Sequence, residues 1–214
     1  MDSGSFDAYV ALDIFLLLLI GIGPKIALVP YLEVTAGMDA ETKARVTRKM
    51  LVTAAVVALI LVVLGELLTR LLHFSTGALA IAGGIILFVI ALSMIRGEGD
   101  PDAHRALAGR DPLELAVFPL AIPYLLNPAG FVTLVTTSAE AGSIGHLGIV
   151  LGLLAVVLAI DVVVFRWANA VSAHLDQSRM LVTEKVFGFL LAALGAQLVL
   201  NGLDDVGVVH LLGH

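Results

Sequence analysis

Long apolar runs alternate with short polar ones along this chain, and the pattern predicts an all-α protein that crosses a membrane six times. The runs cover residues 9–35, 50–72, 75–95, 113–138, 146–167 and 183–203. As one helix the first would be roughly 40 Å long, against a hydrocarbon core of about 30 Å. It must tilt or break, and Gly23-Pro24 says where, because Gly can cap a helix and Pro favours its first turn. The fourth run carries the same signal at Asn127-Pro128. A basic turn at 38–49 opens with Asp39 as a candidate N-cap, and a polar linker fills 96–112.

Composition agrees with the pattern. The 214 residues are 59% hydrophobic and 14% charged, with a mean hydropathy of +1.04, where soluble chains carry about 25% charged residues. The net charge of −6 sits in the loops and says little about partners; no nucleic-acid partner is expected. With no Cys and six scattered His, neither a metal centre nor a cofactor site is expected. No nucleophile–base pair points to an enzyme; Ser138 and Ser143 have only His146 nearby in sequence.

Cations set the orientation. Lys43, Arg45, Arg48, Lys49, Arg96, Arg105, Arg110, Arg166, Arg179 and Lys185 all follow odd-numbered runs, whereas Arg70 alone lies on the other side. The positive-inside bias places loops 38–49, 96–112 and 168–182 in the cytoplasm and both termini outside, with a bacterial inner membrane as the expected setting.

Sliding the chain on itself by 104 residues lays Pro24 on Pro128 and Gly84 on Gly188. Two repeats are therefore expected, 1–95 and 113–214, joined by the cytoplasmic linker 96–112. Three spans is an odd number, so the copies must insert with opposite orientation. Inverted repeats with broken helices are the mark of secondary transporters, whose binding site lies at the breaks.

The chain also resembles the MarC family of integral membrane proteins, within the LysE-like transporter superfamily. The resemblance rests on Thr35-Ala36-Gly37-Met38-Asp39-Ala40-Glu41, Gly65-Glu66 and Ile81-Ala82-Gly83-Gly84-Ile85-Ile86-Leu87-Phe88. Phe118-Pro119-Leu120-Ala121-Ile122-Pro123, Gly188-Phe189-Leu190-Leu191-Ala192-Ala193 and Asn201-Gly202 extend it. It implies six spans and, as for a few members, transport of small neutral amino acids driven by a cation gradient. Three features depart from the family pattern. The Asn of the first break stands in the second, as Asn127, a cation appears in the first as Lys25, and Ala80 replaces a common Arg.

The expected substrate site is Gly23, Pro24 and Lys25 with Asn127, Pro128, Ala129 and Gly130. Two half-helix N-termini would meet there, each with free N–H groups and partial positive charge, and favour a carboxylate. Lys25 lies within a span, where a cation needs a cavity or partner. Asp161, alone among apolar neighbours, is the candidate for coupling to a proton or sodium ion, or for a counter-ion to Lys25. Glu66 and Asp13 read as interfacial, Gln197 with Asn201 as interhelical glue, and Ala80/Gly84 with Gly188/Ala192/Ala196 as close-packing positions. The expected partners are a small solute, the coupling cation and the bilayer, and a homo-oligomer is compatible with them. The competing readings are a divalent metal-ion exporter, which wants several intramembrane carboxylates, and a non-transporting membrane scaffold, which predicts a closed apolar bundle.

Overall fold

The computed structural model describes residues 8–96, 110–140, 144–171 and 177–209. Among these residues every regular element is helical: α1 (Ala8–Gly21), α2 (Pro24–Val34), α3 (Ala40–Leu72), α4 (Thr76–Arg96), α5 (Pro112–Leu115), α6 (Pro128–Glu140), α7 (Ile144–Val171) and α8 (Gln177–Asp205). Between α5 and α6 the chain winds in wide turns over Ala116–Leu125, with extended backbone at Phe118 and Ile122 before cis Pro119 and Pro123. Pro cannot donate to a helix ladder and pushes the preceding residue toward extended geometry. That explains why this stretch is irregular where one broken helix was expected. The predicted linker lies mostly outside the described residues.

Among the described residues four helices are long and apolar enough to cross a membrane: Ala40–Leu72, Thr76–Arg96, Gly145–Ala168 and Lys185–Asp205. The other two apolar runs are interrupted, one as α1 and α2, the other as α5, the wide turns and α6. The basic stretch expected as a turn is instead the first three turns of α3. Asp39 caps it, accepting from the Thr42 N–H at 2.9 Å and the Thr42 hydroxyl at 2.6 Å. Those bonds, the hydroxyl's first, hold its carboxyl below the usual carboxylate range. Each helix buries one stripe. On α3 it runs Val46, Met50, Ala54, Ala58, Val62 and Gly65, while Val52, Val56, Leu59 and Val63 are exposed. Exposed aliphatic faces of this extent suit hydrocarbon rather than water.

One helix pair stands out in its packing. Along α4 and α8, Gly77 meets Gly202, Gly84 meets Gly195, and Ala91 meets Gly188. As one number rises by seven the other falls by seven, so the helices are antiparallel with small residues on one seam. A Cβ on Gly84 would come within 2.5 Å of the Gly195 carbonyl oxygen, and one on Gly195 within 2.8 Å of the Gly84 carbonyl oxygen. Backbones this close gain dispersion contacts that lipid cannot replace. The close-packing set expected at four-residue spacing is thus corrected to a seven-residue one. Ala196 is exposed and Ala192 only half-buried. The remaining elements pack into a second group, in which α3 contacts α6, α7 and the wide turns, and α1 contacts α6 and α7.

Gly84→Val should therefore cost about 1–3 kcal/mol by overpacking, lowering the thermal midpoint in detergent by roughly 5 °C. Gly148→Ala is the control: nothing lies within 4 Å of its added Cβ, so it should be neutral or stabilising by about 0.5–1 kcal/mol. Equal behaviour of the two variants would remove the seam from the account of stability.

Candidate functional site

The two helix breaks lie against one another. Ile22 and Leu126 form an isolated antiparallel bridge, and the Asn127 N–H donates to the Gly21 carbonyl at 2.9 Å. Asn127 is fully buried and its side chain works in both directions. Its Nδ2 donates to the Ile20 carbonyl at 2.8 Å, and its Oδ1 accepts from the N–H groups of Ala129 (2.8 Å) and Gly130 (3.2 Å). One residue thus occupies last-turn carbonyls of α1 and caps the first turn of α6, groups that a helix terminus leaves without partners.

Three glycines make this approach sterically open. A Cβ on Gly21 would lie 2.3 Å from the Gly130 Cα, and one on Gly130 would lie 2.4 Å from the Gly21 carbonyl oxygen. Gly23 is extended (φ −153°, ψ 158°), and its Cβ would strike the Leu19 carbonyl oxygen. Pro24 and Pro128 then open α2 and α6. The two openings differ in one respect: Gly23 supplies no side-chain cap to α2, whereas Asn127 caps α6.

The predicted site residues separate into three environments. Gly23, Asn127, Pro128, Ala129 and Gly130 are buried at the junction. Lys25 is exposed and lines a cleft of about 210 Å³ with Ile20, Ile26, Phe187, Leu190, Leu191 and Leu194. Asp161 belongs to the buried stripe of α7, with Val150, Leu154, Val157 and Phe165. It is fully buried, and neither carboxylate oxygen has a hydrogen-bond partner. One turn on, Phe165 stands edge-on to Tyr31 of α2, centroids 5.1 Å apart, and the Tyr31 hydroxyl lies 2.7 Å from that of Thr47. Asp161 is absent from the lining of the Lys25 cleft.

Two further cavities flank the junction. An apolar one of about 270 Å³ lies between α4 and the second break, lined by Gly83, Ile86, Pro123, Leu126, Pro128 and Phe131 among others. The larger, about 420 Å³, is partly polar: Thr133, Thr136 and Thr137 of α6 line it with His146, Asn201 and Asp204, beside aliphatic side chains. The three Thr hydroxyls bond back to carbonyls of their own helix. Sequence reasoning missed these threonines, although spacings of three and four residues place them on one face of a helix. Asn201 was expected to bond between helices; instead it accepts from Gln197 on the same helix at 2.7 Å. Glu66 pairs with Arg70 four residues on, both exposed.

Long apolar helices, lipid-suited exposed faces and a buried helix-break junction define an integral membrane protein. Comparison with known proteins agrees: the description "MarC family integral membrane protein" matches residues 7–206, and the chain belongs to that family. Relatives include the UPF0056 membrane protein YvbG of Bacillus subtilis, 26% identical, covering 94% of this chain and 96% of the relative. A UPF0056 membrane protein of Pyrococcus horikoshii is 29% identical over 89% of this chain and 92% of its own length. One from Methanocaldococcus jannaschii is 27% identical, with 81% and 85% covered. No solved structure matches.

Asn127→Ala strands the Ile20 carbonyl and uncaps α6, which together should cost about 2–4 kcal/mol. Asn127→Asp keeps the acceptor for α6 but sets oxygen against oxygen at Ile20, so it should not restore stability. Thermal unfolding of the purified variants measures both, and an unchanged midpoint in Asn127→Ala would contradict this bonding role.

Proposed function

We propose that this protein is a secondary transporter of a small solute, a small amino acid or related carboxylate, working by alternating access around the paired breaks. The pairing itself carries the proposal. Ile22 and Leu126 are 104 residues apart, the offset that joins Pro24 to Pro128, and their bridge is antiparallel. A two-fold axis through the junction produces that relation. The same offset exchanges two seam contacts: Gly84 with Gly195 becomes Gly188 with Ala91. Leu87 and Leu191, also offset mates, share a core cluster with Ile26 and Ala129 from the two breaks. Six spans in two inverted repeats account for all of these, with the interrupted segments counted as spans one and four.

In this reading Gly23, Pro24, Lys25, Asn127, Pro128, Ala129 and Gly130 form the substrate region. Asn127 holds the junction together, and Lys25 meets the solute's carboxylate. Asp161 serves the coupling ion, proton or sodium, because a buried unpartnered carboxylate is costly unless it takes up a cation. The polar cavity of about 420 Å³ provides the approach to α6 from water, a feature the scaffold alternative does not call for. The metal-exporter alternative gains no donor set: among the described residues no three of His, Asp or Glu converge.

Uptake by the purified protein in proteoliposomes, screened with labelled amino and organic acids under imposed proton or sodium gradients, tests the proposal. At least one solute should accumulate above protein-free vesicles. Asp161→Asn should abolish gradient-driven accumulation while leaving solute exchange intact. Accumulation of no solute in the screen would defeat the reading.

Orientation is checked separately by cysteine labelling, since the native chain has no Cys. A Cys placed at Ser143 should react with an impermeant reagent from outside an inner membrane, and one placed at Lys43 only from the cytoplasm. The reverse pattern would invert the topology.

A further inference from the structure

The charge and shape of the Lys25 cleft narrow the class of ligand. α2 has 11 residues, so its first turn lies about 16 Å from its far end, near the middle of a hydrocarbon layer about 30 Å thick. A helical side chain leans toward the N-terminus of its helix. Lys25 therefore leans toward the break and away from the nearer surface, and snorkelling to headgroups is closed to it. No hydrogen bond or ion pair engages Lys25 among the described residues. Its cleft is otherwise apolar, with Phe187, Leu190, Leu191 and Leu194 of α8 facing Ile20 and Ile26.

No Asp or Glu lines this cleft, so it lacks a carboxylate to pair with an ammonium group. The one buried carboxylate among the described residues, Asp161, belongs to another side of α2. Tyr31, which touches Phe165 of α7, lies in helical register with Ala27, and Ala27 is about 200° around the helix from Lys25. A charged headgroup opposite Lys25 must therefore be an anion, and the rest of the ligand must be aliphatic or aromatic.

We propose that the cleft binds a monocarboxylate with a compact apolar tail, the carboxylate on the Lys25 ammonium and the tail against Phe187, Leu190 and Leu194. This rests on the transporter reading for its purpose and sharpens the solute class from amino acid to apolar organic acid. The ligand chemistry is shared by a short-chain acid from water and a fatty acid from the bilayer.

Calorimetric titration of the full chain in lipid nanodiscs tests it without requiring transport. The probes are 4-methylpentanoate, its uncharged amide, and leucine, which adds an ammonium group. The acid should bind at least about tenfold more tightly than either, the scale of one charge-assisted hydrogen bond. Lys25→Met should lose that preference and Lys25→Arg should keep it, with thermal unfolding confirming that both are folded. Palmitate loaded into the nanodisc distinguishes the sources. Displacement of the short acid assigns the cleft to bilayer fatty acids, and undiminished binding assigns it to acids from water. The proposal is overturned if leucine or the amide binds as well as the acid, if none binds, or if Lys25→Met is unchanged. Binding without accumulation in proteoliposomes would instead remove the transporter reading and leave the cleft's assignment standing.

Discussion

A backbone that leaves the helix inside hydrocarbon must find every hydrogen bond within the protein, because lipid offers none. Here that constraint falls on residues 20–23 and 126–130, and Asn127 meets most of it. Its two side-chain functions serve opposite helix ends, and its own N–H takes a third group, the Gly21 carbonyl. No other amide-bearing side chain of that length occurs at either break. The glycines on both sides follow from the same demand: hydrogen bonds near 2.9 Å between two backbones leave no room for Cβ atoms.

The α4–α8 pair solves a different problem by similar means. Along its seam the two helices approach backbone to backbone, through Gly77, Gly84 and Gly195. Between this seam and the junction lies a small apolar cluster, Ile26, Leu87, Ala91, Met94, Ala129 and Leu191. It packs the first turns of both half-helices against the pair, with the polar cavity on α6 and the Lys25 cleft on α2.

Much of this was legible in the sequence because membrane physics is simple where the chain is uniform. Six apolar runs, the two Pro-marked breaks and the Asp39 cap were readable from length, helix-cap preference and residue type. Long-range pairings were not. Gly130 could be assigned to the second break from the sequence, but its contact with Gly21 appears only in the fold. The wide turns at Ala116–Leu125 escaped because two prolines four apart admit several geometries and only tertiary packing selects one. Asp161 could be singled out as a lone charge, but which face of α2 it shares depends on how α7 docks. The Thr133 face was present as a spacing, masked by Thr being common on buried helices as a donor to its own backbone.

The contact between Gly21 and Gly130 gives the molecule a joint without cushioning. Where side chains separate two helices, a shift of one against the other is taken up by rotamer changes, so small displacements fade within a layer or two. Where two backbones touch directly there is no such slack, and a tilt of α1 must appear as a tilt of α6. The junction thus couples α1 to α6 directly, with no side chain between Gly21 and Gly130 to absorb a displacement.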